Sequence, residues 1–115
     1  MALKIRAVPE KYRREDFEMY GNQLCIVRCY GAGVFFARVE SLDGQTAQLR
    51  DARRLWYWDG AATLSQLAME GVKAPGNCKF TVTVPRMTVT QVIEIIPCTE
   101  QAVDSIGGVR EWKRT

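Results

Sequence analysis

From Gln23 onward, glycine- and proline-containing turns divide the chain into short segments rich in β-branched and aromatic residues. The segments QLCIVRCY and VFFARVES flank the turn YGAG, a pattern typical of a β-hairpin. A further turn at Leu42, Asp43 and Gly44 leads into QTAQLRDARRLWYW, which predicts one long strand or two, with a bend near Asp51. Three consecutive antiparallel strands are therefore expected to form a meander.

The second half of the chain alternates short helices with further strands. The segment ATLSQLAMEG has the apolar spacing of a helix that Thr63 caps and Gly71 ends. After the loop VKAPGN, the segments CKFTVTVP and MTVTQVIEIIPC predict two strands divided by Pro85 and Arg86. Thr99 begins a second helix, TEQAVDSI. Five or six antiparallel strands with two short helices indicate an α+β fold, mainly antiparallel β, as a small curled sheet or a two-layer sandwich.

The domain organisation follows from the length of the chain and from the change in composition along it. The 115 residues, 47% of them apolar, suffice for one core. Residues 1–20 are expected to form a charged N-terminal extension, and residues 21–115 a single β-rich ligand-binding domain. No apolar run approaches the ~20 residues of a membrane-spanning helix, and the charged N-terminal segment is unlike a signal peptide, so we expect a soluble, cytoplasmic protein. Open sheet edges and an incompletely covered face favour a homo-oligomer.

Histidine is absent, which removes the usual general base of Ser-His-Asp and Cys-His enzymes and the commonest metal ligand. None of the four cysteines, Cys25, Cys29, Cys78 and Cys98, forms a CxxC motif. We interpret them as buried small apolar residues rather than ligands. The sequence therefore predicts a protein that is not an enzyme and holds neither a metal nor a cofactor.

The densest chemical signal is RDARRLWYW, in which arginines immediately precede tryptophans. Guanidinium groups form forked hydrogen bonds to phosphate, and aromatic faces stack on nucleobases for ~1–3 kcal/mol per base. We therefore expect Arg53 and Arg54 to contact phosphate while Trp56 or Trp58 provides a stacking face. The alternative is that both tryptophans pack in the core. Because neighbouring residues of a strand face opposite ways, only one of the two arginines can line a given pocket, unless a bulge intervenes or the other arginine serves a neighbouring subunit.

Other segments supply supporting candidates. Arg110, Lys113 and Arg114 surround Trp112 near the C-terminus, although a solvated tail is the simpler interpretation of that cluster. An asparagine amide in the APGNCKF segment can read a base edge. The full set of candidate ligand-binding residues is Arg28, Arg53, Arg54, Trp56, Trp58, Asn77, Lys79 and Arg110.

The segments ARRLWYWDGAATLSQLAMEGV and IEIIPCTE, within a match that covers residues 24–106, resemble a family of small proteins from tailed bacteriophages and prophages, of formerly unknown function. The chain is also similar to the Thoeris anti-defence sponge proteins, which bind and sequester cyclic nucleotide immune signals such as cyclic ADP-ribose isomers. Some members hold cyclic oligonucleotides in hexamers. The resemblance implies a dimeric or hexameric sponge that does not degrade its ligand, in the cytoplasm of the infected bacterial host.

Two other function classes stay open. In a nucleic-acid-binding accessory protein, the same arginines and tryptophans would line an open electrostatic groove. The net charge of +3 is small for a protein that binds duplex DNA, which makes this class less favoured. In a virion or assembly component, Trp56 and Trp58 would instead anchor an interface between proteins.

Overall fold

One antiparallel sheet carries two short helices. The computed structural model describes residues 23–115. The strands are β1 (Leu24–Cys29), β2 (Gly33–Asp43), β3 (Thr46–Tyr57), β4 (Lys79–Val89) and β5 (Val92–Pro97), and the helices are α1 (Leu64–Glu70) and α2 (Glu100–Gly107). A single 3-10 turn covers Pro75–Asn77. The predicted α+β fold with a curled sheet is confirmed, and the extension predicted for residues 1–20 lies outside the described residues.

The two edge strands of the sheet are neighbours in sequence. The strand order is β4-β3-β2-β1-β5, so a flat sheet would separate β4 from β5 by roughly 19 Å. Only Thr90 and Gln91 connect these strands, a link that spans at most roughly 11 Å. The Val92 N–H donates to the Gln45 carbonyl at 2.9 Å, which ties the start of β5 to the turn between β2 and β3. The sheet therefore curls until its edges approach each other at this end.

The curl divides the apolar residues between two cores. The inner core includes Val89 and Val92, one from each edge strand, and so lies inside the curl. The helix-side core joins the opposite face of the sheet to both helices. The inner core comprises Cys25, Val27, Cys29, Phe35, Ala37, Val39, Ala47, Leu49, Ala52, Val89 and Val92. The helix-side core comprises Ile26, Phe36, Leu55, Leu67, Ala68, Val72, Cys78, Phe80, Cys98, Ala102, Ile106 and Val109.

Asp51 produces the bend predicted in β3. Its φ of 52° lies in the left-handed region, where aspartate is one of the few tolerated side chains. Ala47 and Leu49 before it and Ala52 after it all belong to the inner core, so the alternation of buried residues shifts by one at this position. The bend lets one strand follow the curl from end to end.

β4 runs through Pro85 without a break, so the prediction that Pro85 and Arg86 divide two strands is wrong. The register pairs Arg50 with Arg86 and thereby places Pro85 opposite Asp51, on an edge strand. An edge position tolerates the missing N–H of proline. The true break follows Val89, and Gln91 turns the chain there with a φ of 58°.

Both helices begin where a threonine caps them, as predicted. The Thr63 hydroxyl accepts a hydrogen bond from the Gln66 N–H at 3.0 Å. The Thr99 hydroxyl accepts from the Ala102 N–H at 3.1 Å and donates to the Met69 carbonyl at 2.7 Å. Thr99 therefore caps α2 and fastens it to the end of α1. No helix in the described part of the chain is long and apolar enough to cross a membrane.

Gly71 ends α1 at a close approach to α2. Its φ of 77° and ψ of −151° are accessible almost only to glycine, and a methyl group there would collide with the Ser105 side chain. We expect Gly71→Ala to lower the free energy of unfolding by about 1–3 kcal/mol, measured by chemical denaturation. Gly76→Ala is the control, because an added Cβ there meets no atom within 4 Å. Equal stabilities for the two variants would contradict the prediction.

Candidate functional site

Arg53 and Arg54 point to opposite faces of β3, as strand alternation predicts. The Arg53 guanidinium carbon lies 5.4 Å from the ring centroid of Phe80, in the helix-side core. The Arg54 guanidinium carbon lies 4.8 Å from the ring centroid of Phe35, in the inner core. The two neighbouring arginines therefore occupy different environments and have different chemistry available to them.

Arg53 is only 4% exposed, and all three guanidinium nitrogens are engaged. Its Nε donates to the Thr81 carbonyl at 2.8 Å, Nη1 to the Ile106 carbonyl at 2.9 Å, and Nη2 to the Val109 carbonyl at 2.5 Å. Burial lowers the pKa of Arg53, and the negative charge of Glu111 acts in the opposite direction. Through these hydrogen bonds, Arg53 links β4 to the C-terminal end of α2. They satisfy its guanidinium group without a ligand.

The C-terminal tail returns to the sheet after α2. Gly108 closes the helix by donating its N–H to the Asp104 carbonyl at 3.1 Å. Glu111 then forms a parallel bridge with Phe80, and the Trp112 N–H donates to the Phe80 carbonyl at 2.8 Å. Because Arg53 also holds this segment, the tail lies in a defined place beside the start of β4.

Two tryptophans from distant parts of the sequence stack at this edge. The ring centroids of Trp56 and Trp112 are 6.3 Å apart, and the ring planes differ by 19°. The Lys79 Nζ lies 5.4 Å from the Trp112 ring centroid, a cation–π distance. Trp56 is 64% exposed and Trp112 is 47% exposed. We call this pair the tryptophan platform: an aromatic surface open to solvent, with a cation at its side.

A groove of about 270 Å³ lies next to the platform. Arg110 and Trp112 line it on the side of the tail, and the 3-10 turn forms its other wall. Arg110 is therefore a second cation near Trp112, and both residues belong to the C-terminal tail. The complete lining is Pro75, Gly76, Cys78, Arg110, Glu111 and Trp112.

Several predicted ligand residues are engaged elsewhere in the described structure. Trp58 is partly buried against the helix-side core, which is the packing alternative for that residue. The Asn77 amide donates to the Asp59 carboxylate at 3.0 Å. Arg28 lies on β1, where its guanidinium contacts the Glu94 carboxylate at 3.4 Å. The structure thus brings Trp56, Lys79 and Arg110 together.

Arg54 is a further cation, two residues before Trp56 of the tryptophan platform in the sequence. Its Nε is buried and has no hydrogen-bond partner among the described residues. Leaving a buried donor unpaired costs about 1–3 kcal/mol, so an anion that reached it would gain a strong contact. Arg54 precedes Trp56 by two positions on β3, a distance of roughly 7 Å along the strand.

All four cysteines are buried and unpaired, as the sequence predicts for small apolar residues. Burial raises the pKa of the Cys25 thiol to about 11. Burial, together with the neighbouring Cys25, raises the pKa of the Cys98 thiol to about 12. Within the described range, no three potential metal-ligating side chains of His, Cys, Asp or Glu stand together.

Burial also raises the pKa of the Cys29 thiol, and the larger increases at Cys25 and Cys98 make stability depend on alkaline pH. An unfolded chain releases thiol protons near pH 8.5, while folded Cys25 and Cys98 keep theirs. The free energy of unfolding should therefore fall as pH rises above about 9, by up to about 1.4 kcal/mol per pH unit for each thiol. Urea denaturation of the wild type and of Cys25→Ala/Cys98→Ala across this range checks it. An equally steep decline in both proteins would contradict the assignment.

A model for a domain of unknown function, DUF6948, matches residues 22–106. The chain belongs to the DUF6948 family. The part of this DUF6948 protein that matches contains all five strands together with Trp56 and Lys79, and it ends before Arg110 and Trp112. The comparison with curated proteins finds no match.

Sequence reasoning did not include Trp112 among the ligand residues of this DUF6948 protein. The available signal was the set of cations around it, Arg110, Lys113 and Arg114, which is equally typical of a solvated tail. Its stacking on Trp56 depends on the return of the tail to Phe80. That return is a tertiary contact with no local pattern in the sequence.

Proposed function

We propose that this DUF6948 protein is a phage-encoded sponge that binds and sequesters a cyclic nucleotide immune signal without degrading it. Its ligand would be a cyclic ADP-ribose isomer or a cyclic oligonucleotide, in the cytoplasm of the infected bacterial host. The observation that carries the proposal is the convergence of Trp56, Lys79, Arg110 and Trp112 from three separate segments. Aromatic faces stack on nucleobases, and cations bind phosphates.

The proposal gives each group a role. A nucleobase is a flat ring, and the exposed tryptophan platform offers a stacking face for it. Lys79 and Arg110 flank Trp112, so phosphates attached to a stacked base would meet a positive charge within a few ångströms. Binding of this kind needs no acid, base or nucleophile, which agrees with a protein that stores its ligand intact.

The decisive experiment separates storage from turnover. The purified protein is mixed with a panel of cyclic ADP-ribose isomers and cyclic oligonucleotides, recovered by gel filtration, and denatured. Mass spectrometry of the released material should show an intact cyclic nucleotide. Release of a hydrolysed product would overturn the proposal in favour of an enzyme. Retention of none of the panel by the folded protein would overturn it as well.

The proposal includes self-association into a dimer or hexamer. A single chain leaves the platform and the groove open on one side, and a second subunit would enclose a small charged ligand with cations from two chains. The edge strand β4 and exposed apolar side chains such as Val82 offer surfaces for the contact. Light scattering at micromolar concentration should give a multiple of 13.0 kDa. A mass near 13.0 kDa throughout would contradict this part of the proposal.

A second candidate function is binding of single-stranded nucleic acid by an accessory protein. The high exposure of Trp56 and Trp112 favours it, since an open platform accepts successive bases of a strand. An oligonucleotide added as a competitor distinguishes the two. If the protein retains the oligonucleotide and none of the cyclic nucleotides, the second function is correct.

A further inference from the structure

The groove beside the tryptophan platform has one carboxylate among its described lining residues, that of Glu111. Its neighbours in the chain are Arg110 and Trp112, whose ring belongs to the platform. The backbone of this segment is fixed, because Glu111 forms the parallel bridge with Phe80 and the Trp112 N–H donates to the Phe80 carbonyl. A residue with a strong hydrogen-bond acceptor is therefore held in a defined place beside a stacking face and a cation.

The contact that the Glu111 carboxylate makes within the described structure is a weak one. Its Oε1 lies 3.4 Å from the Lys113 Nζ, and the side chains of Glu111 and Lys113 are 43% and 54% exposed. Exposed ion pairs of this kind contribute little to stability. An ionised carboxylate has two acceptor oxygens and no donor, so Lys113 uses only part of its capacity. A ligand in the groove can therefore donate hydrogen bonds to Glu111.

We propose that Glu111 makes this site selective for guanine, an inference that rests on the proposed binding of a cyclic nucleotide at the platform. The N1–H and the 2-amino group of guanine are adjacent donors on one edge of the base, and they match the two oxygens of a carboxylate. Adenine and cytosine present one donor beside a ring acceptor, and uracil presents one donor between two carbonyl groups. On each of these bases the carboxylate would face an acceptor, which opposes binding.

The groove and the platform together serve both ends of a guanine nucleotide. A base stacked on Trp112 lies in a plane near that of the ring, so its edge extends toward the groove that Trp112 also lines. Lys79, whose Nζ is 5.4 Å from the Trp112 ring centroid, supplies a cation for the phosphate. Within the proposed function, the ligand would then be a guanine-containing cyclic oligonucleotide rather than a cyclic ADP-ribose isomer, whose base is adenine.

The test compares the base preference of the wild type with that of Glu111→Gln. Isothermal titration calorimetry should show that the wild type binds cyclic di-GMP about 10- to 150-fold more tightly than cyclic di-AMP. A glutamine amide accepts one hydrogen bond and donates one, which suits the N6–H and N1 of adenine. Glu111→Gln should therefore reduce the ratio of the two affinities by about 10-fold or more. The ratio is the quantity to compare, because removing a negative charge strengthens binding of every phosphate ligand.

Glu70→Gln is the matched control, because Glu70 is also an exposed carboxylate that contacts a lysine, at 3.5 Å, and it lies outside the groove. This variant should keep the base preference of the wild type. Urea denaturation shows whether both variants fold, since Glu111 also acts on the charge of the buried Arg53. A comparison of GMP with IMP, which lacks the 2-amino group, needs no variant and keeps the test decisive if Glu111→Gln folds poorly. IMP should bind the wild type about 10-fold more weakly than GMP.

The outcomes for guanine selectivity and for the sponge are distinguishable. Equal binding of cyclic di-GMP and cyclic di-AMP, or retention of a cyclic ADP-ribose isomer in preference to both, would overturn guanine selectivity and leave the sponge standing. An unchanged ratio in folded Glu111→Gln, or equal binding of GMP and IMP, would overturn the role of Glu111. Selective binding of GMP without binding of any cyclic nucleotide would support Glu111 and overturn the sponge. Binding of no nucleotide at all would overturn both.

Discussion

Replacing Arg53 with methionine is expected to lower the free energy of unfolding by about 3–5 kcal/mol, a large part of the stability of a small domain. Methionine fills much of the same volume but leaves the carbonyls of Thr81, Ile106 and Val109 without their donor. Each hydrogen bond to a charged group contributes about 1.5–3 kcal/mol, and bonds made by one side chain do not add fully. Urea denaturation followed by circular dichroism measures the loss.

The neighbouring arginine provides the control. Arg54 packs on Phe35 through its guanidinium, so Arg54→Met should cost only about 0.5–1 kcal/mol. Arg53→Met should also separate Trp112 from Trp56, since Arg53 holds the tail that carries Trp112, and the near-ultraviolet circular dichroism of the stacked pair should weaken. Equal stability losses for the two arginines would show that the buried hydrogen bonds of Arg53 do not hold the tail.

Replacing Trp56 with alanine is expected to weaken cyclic nucleotide binding by about 5- to 150-fold while the fold survives. Stacking on an aromatic face contributes about 1–3 kcal/mol per base, and Trp56 is largely exposed, so little packing is lost with it. Lys79→Gln and Arg110→Gln should each weaken binding further through the phosphates. Isothermal titration calorimetry with the ligand retained in the panel experiment gives the affinities.

The matched control for these cation variants is Arg28→Gln. Arg28 is an exposed arginine outside the platform and the groove, so its loss should leave the affinity unchanged. Arg54→Gln reports whether the unpaired Nε of Arg54 also reaches the ligand, in which case affinity falls about 10-fold or more. If Arg28→Gln weakens binding as much as Trp56→Ala does, the ligand site lies elsewhere on the sheet.

Local chemistry made much of this fold predictable. Thr63 and Thr99 are helix caps because their hydroxyls accept from backbone N–H groups, and those residues signal helix starts in any context. The bend at Asp51 follows from the tolerance of aspartate for left-handed backbone. The prediction at Pro85 was wrong because the effect of a proline depends on the position of its strand in the sheet. A central strand would have ended at Pro85, whereas the edge strand β4 continues through it.

The candidate site was less predictable, because its parts meet through tertiary contacts. Alternation shows that Arg53 and Arg54 diverge, yet only the position of α2 shows that Arg53 faces buried carbonyls. The pairing of Arg38 with Arg50, and of Arg50 with Arg86, likewise depends on a strand register that several local irregularities adjust, and no local sequence pattern predicts it.

The position of β1 has a consequence for synthesis of the chain. Val27 pairs with Phe35 across a tight turn on one side of β1, and with Ile95 of β5 on the other, only after most of the chain has been made. Until β5 leaves the ribosome, β1 exposes an apolar strand edge to other nascent chains. In a truncated chain that ends before Val92, this edge of β1 would stay unpaired. Protection of the nascent chain from aggregation therefore depends on the synthesis and pairing of β5 rather than on formation of the β1–β2 hairpin.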